Sequence, residues 1–102
     1  MTAGVPTPPE PEAIEVPPWR PDHGPRPSVQ TWGRGKAPAL EVRVRGEWRF
    51  APVLAVQHYR DGRRAVQVSI HLDNPTSAQL RTYRLDPAVM RIVVAGDPPL
   101  EA

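Results

Sequence analysis

Apolar and polar residues alternate most regularly in the second half of the chain. Leu40, Val42 and Val44 alternate with Glu41, Arg43 and Arg45, which is the period of a half-buried strand. Gly46-Glu47 predicts a turn, and Trp48 to Arg60 a second strand. Pro52 inside that run removes a backbone donor, so it predicts an edge position, a bulge or a bend. Val53, Leu54, Ala55 and Val56 are continuously apolar, as in a strand that bends and changes the face it buries. Asp61-Gly62 is a strong signal for a type I′ hairpin. Val66, Val68, Ile70 and Leu72 then alternate with Ala65, Gln67, Ser69 and His71, the clearest strand in the chain. Residues 73–77 form a loop by composition. Leu80 to Leu85 predicts a fourth strand with Tyr83 and Leu85 inward. Asp86-Pro87 places a capping residue before a proline, which predicts one helical turn ahead of a last strand, Arg91 to Ala95.

Composition sets this half apart from the first. Of fifteen prolines among 102 residues, ten lie in residues 1–38: 6, 8, 9, 11, 17, 18, 21, 25, 27 and 38. Such a stretch lacks backbone donors and branched apolar residues, so residues 1–37 are expected to form a disordered, proline-rich tail. The folded domain is then expected at 38–96, with a short C-terminal tail at 97–102. The chain has no cysteine, so neither disulfides nor thiolate metal sites can support so small a core. There is no signal-peptide pattern and no apolar run of the ~20 residues that cross a bilayer. These features predict a cytoplasmic protein without a membrane partner.

Charge is segregated. The net charge is +2, but residues 34–95 hold eleven basic side chains against five acids, Glu41, Glu47, Asp61, Asp73 and Asp86. All but one of the thirteen basic residues are arginine. Codon usage in a GC-rich genome produces the same bias, although arginine also makes bidentate contacts that lysine cannot. A basic domain attached to a mildly acidic tail raises the prospect of a polyanionic partner.

Five short strands with a helical turn before the last resemble the SH3-like small barrel, and among its branches the Tudor-like modules. The resemblance spans about residues 39–95. It rests on "VRVRGEWRFAPVLAV", where a turn leads to a Trp and a bent apolar strand, and on "YRLDPAVMRIV", where the helical turn precedes the closing strand. It implies an all-β five-stranded barrel and an interaction module rather than an enzyme. Methyl-lysine recognition needs several aromatics around one cation. The domain offers Trp48, Phe50, Tyr59 and Tyr83, at least two of which are expected in the core.

Two partner classes follow. Arg43, Arg45, Arg60, Arg63, Arg64, Arg81 and Arg84 are candidate phosphate contacts for DNA or RNA, with Gln67, Ser69 and His71 as neutral donors and acceptors beside them. Trp48 or Tyr59 would stack a base if exposed, whereas a core role makes Trp48 a lid. The alternative is a protein-interaction adaptor that uses a barrel groove with Trp48 and Tyr59, together with Trp19 and Trp32 of the tail. His58 and His71 lack companion ligands at metal spacing, and no local nucleophile–base–orienter motif is present. No cofactor, metal or catalytic residue is therefore expected.

Overall fold

The computed structural model describes residues 11–101. It is all-β, with six strands and one short 3₁₀ turn: β1 Ser28–Gln30, β2 Ala39–Val44, β3 Glu47–His58, β4 Arg64–Ile70, β5 Gln79–Arg84 and β6 Met90–Val94. All pairings are antiparallel, in the order β5-β4-β3-β2-β6, with β1 beside β3. No pairing joins β5 to β6, so hydrogen bonds do not close the sheet into a barrel. The expected five strands become six because β1 lies in the proline-rich segment.

In β2, Leu40 and Val42 are buried while Arg43 turns outward beside Trp48. The following turn centres on Arg45-Gly46 rather than Gly46-Glu47. Both residues have positive φ, 54° and 77°, as a two-residue I′ hairpin requires. Long β3 pairs with β2 through residues 47–52 and with β4 from Val53 onward. The register shifts between Val53 and Ala55, which leaves Leu54 43% exposed while Val53, Ala55 and Val56 are all buried. This bulge is the bend signalled by the continuous apolar run and by Pro52.

The Asp61-Gly62 hairpin differs from the expected I′ turn. Only Gly62 has positive φ, 89°, and Gly62 N–H bonds Tyr59 C=O while Tyr59 N–H bonds Arg63 C=O. This is a type I turn followed by a glycine bulge, which tolerates ordinary φ at Asp61. Before β6 there is a hydrogen-bonded turn, not a helical one. Asp86 accepts Ala88 N–H on its side chain and Val89 N–H on its carbonyl, and β6 starts at once with Met90.

The core gathers Leu40, Val42, Ala51, Val53, Val56, Val66, Val68, Ile70, Tyr83, Val89 and Met90. Each fully buried aliphatic side chain contributes about 1.5–3 kcal/mol. Two of the terminal expectations are revised. Leu100 joins the core, and Arg64 donates to the Glu101 carbonyl, so residues 97–101 pack on the domain rather than trailing from it.

The disordered tail expected at 1–37 is likewise not what residues 11–37 show; residues 1–10 lie outside the described residues. Val29 pairs with Gln57 on the free edge of β3. Residues 14–16 run along the outer edge of β5, where Arg84 N–H bonds Ile14 C=O and Val16 N–H bonds Thr82 C=O, and Ala13 N–H bonds Arg43 C=O in β2. Composition misses this because sheet edges recruit backbone groups, not apolar side chains. The prolines concentrate between the two docked pieces, at 17, 18, 21, 25 and 27, where no strand needs their missing donors. No helix among the described residues is long and apolar enough to cross a membrane.

Candidate functional site

The arginines do not share one face; the fold sorts them into groups with different neighbours. The first group surrounds a groove between the proline-rich segment and the β3–β4 hairpin. Val16, Pro17, Trp19 and His23 form one wall, and Tyr59, Arg63 and Arg84 the other, around about 330 Å³. A smaller hollow of about 220 Å³ shares His23, Tyr59 and Arg63 and adds Pro25, Arg60 and Asp61.

The hairpin geometry fixes this group. The Asp61 carboxylate accepts both Arg63 N–H at 3.0 Å and Arg63 Nε–H at 2.6 Å. The backbone hydrogen bond from Arg63, followed by the guanidinium, holds the Asp61 carboxyl below its ordinary pKa. So anchored, Arg63 lies 5.3 Å from the Tyr59 ring centroid, and Tyr59 Oη donates to Gln57. Arg60 and Arg84 have no acidic partner among the described residues. Across the groove, Arg26 lies 5.8 Å from the Trp19 ring, whose buried Nε1 has no acceptor among the described residues. His23 Nδ1 accepts Arg20 N–H at 3.2 Å, which assigns the ring proton to Nε2. Two aromatic residues, an imidazole and two arginines thus line the larger cavity, and His23 Nε2 lies 4.0 Å from the Asp22 carboxylate.

A second group occupies the outer face of β2, β3 and β6. Trp48 sits directly opposite Arg43, with the Arg91 guanidinium 3.8 Å and that of Arg43 6.0 Å from its ring. Glu41 pairs with Arg91 at 3.2 Å. Trp48 is therefore a half-buried outward ring under arginines, not a core lid. Phe50, two residues on, is 56% exposed, so of the four domain aromatics only Tyr83 is in the core.

The remaining expected residues hold the fold together. Arg45 pairs with Asp73; the hydrogen bond and the charge raise the Arg45 pKa and lower that of Asp73. Arg81 contacts Glu15 at 3.3 Å and Gln79 at 2.7 Å. Arg64 reaches the Glu101 carbonyl, and Trp32 packs on the core with its Nε1–H donating to Pro98 C=O at 2.8 Å. Gln67 and Ser69 are half-buried, and His71 is exposed with Nδ1 3.3 Å from the Asn74 carbonyl. His58 Nε2 meets Gln30 Oε1 at 3.2 Å, which ties β1 to β3. Among the described residues no group of three or more His, Cys, Asp or Glu could hold a metal ion.

Trp19, Tyr59, Arg60, Arg63 and Arg84 are therefore brought together, whereas Arg43 and Trp48 lie elsewhere. Sequence reasoning missed His23, whose position depends on the local turn at Pro21, and Arg91, whose pairing with Glu41 was readable only from the β2–β6 register. Comparison with protein-family models, curated proteins and solved structures gave no match.

Proposed function

We propose that this chain is a small SH3-like, Tudor-like interaction module without catalytic activity, acting in the cytoplasm, that binds single-stranded nucleic acid, DNA or RNA, in the Trp19–Tyr59 groove. The strand order supports the fold reading: the last strand lies beside the first long one, and bent β3 is shared between two halves of the sheet. The observation that carries the function is the groove lining. Trp19 and Tyr59 offer ring surfaces for bases, and Arg60 and Arg84, which have no acidic partner among the described residues, flank the two adjoining hollows as phosphate contacts. The size suits one or two nucleotides rather than a duplex.

A protein-interaction adaptor is the second reading. Its support is Phe50, exposed beside Trp48 on the opposite group's face. It no longer draws on Trp32, which is engaged with Pro98.

Binding of a mixed-sequence single-stranded oligonucleotide, followed by fluorescence anisotropy at several salt concentrations, separates the two. Two phosphate contacts predict a slope of log K against log salt near −1.4, or about a seven-fold loss between 50 and 200 mM. The double variant Arg60→Glu, Arg84→Glu is expected to abolish binding. Salt-independent binding, or binding indifferent to this variant, would refute the groove.

A further inference from the structure

The outer edge of β5 is already occupied, and the occupant reveals what the edge accepts. Ile14 C=O and Val16 N–H complete two backbone hydrogen bonds with Arg84 and Thr82, and Glu15 forms an antiparallel bridge with Tyr83. Ala13 N–H bonds Arg43 C=O, which ties the strap to the end of β2. Its two acids meet donors: Glu15 lies 3.3 Å from Arg81, and Glu12 accepts Gly46 N–H. The strap is thus an added strand whose affinity comes from the main chain and whose selectivity comes from carboxylates three residues apart.

The attachment is weak by construction. Ile14, the largest apolar residue of the strap, is 58% exposed, and only Ala13 packs on the core. Exposed ion pairs and a few edge hydrogen bonds characterise segments that open locally far below the global unfolding free energy. An edge strand that keeps its unpaired groups behind so loose a cover remains able to pair with another chain.

We infer that the β5 edge, with Arg81 and the Gly46 N–H, is a docking site for an extended segment of a partner protein with the pattern acid–x–apolar–acid–apolar, and that residues 12–16 are its intramolecular stand-in. Charge complementarity selects the partner, because a segment lacking the second acid leaves Arg81 without its carboxylate. Tethering gives the strap an effective concentration of about a millimolar, so a partner segment binds by displacing it and appears weaker to the intact chain than to one with the strap released.

The test uses the full chain and a capped peptide of residues 11–17, PEAIEVP. Val16→Pro removes the donor to Thr82, and Glu15→Arg turns the strap charge against Arg81; either releases the strap. Peptide binding is read from the shift of the Arg84 amide signal. We expect binding to both released variants at least ten-fold tighter than to the wild type. Adding Arg81→Glu to the Val16→Pro variant should remove it, and a peptide with lysine at the Glu15 position should restore it. No binding to either released variant, or binding indifferent to Arg81→Glu, overturns the inference. In a chain without native cysteines, Glu15→Cys and Arg81→Cys placed on separate copies report exchange between molecules. Efficient cross-linking of those two copies would assign the edge to a second copy and overturn assignment to a different protein.

Discussion

The apolar half of the sheet and the proline-rich segment are held by different forces. In β2 to β4 the side chains do the holding: Leu40, Val42, Val66, Val68 and Ile70 are all fully buried. In residues 12–30 the backbone does it, through hydrogen bonds to the edges of β5 and β3, while Ile14 and Val29 stay exposed. The first arrangement stabilises the fold. The second places Trp19 and His23 opposite Tyr59 and Arg84, so the groove belongs to neither region alone. A groove can thus be walled by a segment that contributes few buried side chains to the core.

The sharpest way to break this contrast is truncation on each side of it. Leu40→Ala should destabilise the protein by about 2–5 kcal/mol, because it removes buried methyls and leaves a cavity. Ile14→Ala should change stability by no more than about 0.5 kcal/mol, since its side chain faces water. Chemical denaturation of both variants measures the difference, and equal losses would show that the strap is part of the core.

Next in size is an effect on binding. Trp19→Ala should weaken oligonucleotide binding by about 1–3 kcal/mol, the value of one stacked base. Trp48→Ala, on the other face, should leave it nearly unchanged, and anisotropy titrations compare the two. A smaller effect sharpens the account of the hairpin. Gly62→Ala forces a Cβ into a φ of 89° and should destabilise by about 1–2 kcal/mol, with the Tyr59 side of the groove loosened.

The smallest effects are pH-dependent. Burial, followed by the charge of Glu15, raises the Tyr83 pKa above its ordinary 10.0, so the folded state favours the neutral phenol. That contribution is complete below pH 10 and is lost as pH rises through the folded value; Tyr83→Phe should remove this alkaline loss from thermal melts. At the acid end, Asp73 and Asp61 sit below their ordinary 3.8 because of Arg45 and Arg63. Their contribution is present above pH 3.8 and fades as pH falls through the lowered values, and Asp73→Asn should flatten that limb of the melts.

What the sequence reveals follows the same division. Strands whose side chains build the core were legible, because burial imposes a period of two on residues 40–44 and 66–72. The bend at Val53 was legible from Pro52 and an unbroken apolar run. Edge pairing by residues 14–16 and 28–30 left no such trace, since backbone hydrogen bonds do not depend on side-chain pattern. The arginine cluster was half legible. Asp61-Gly62 located the hairpin that carries Arg60 and Arg63, but only the docked strap brings Trp19 across from them. Arg45 and Arg81 looked equivalent to Arg84 in sequence, and distant acids, Asp73 and Glu15, make them different.

The most direct measurement exploits the three tryptophans, each in a distinct setting. Indole N–H signals of the full chain should be followed while a single-stranded oligonucleotide is added at low salt. The Trp19 signal should move with saturable dependence, while Trp32, bonded to Pro98, and Trp48, stacked under Arg91, stay in place. Movement of Trp48 without Trp19, or no movement of any indole at low salt, would contradict the claim that the groove is the nucleic-acid site.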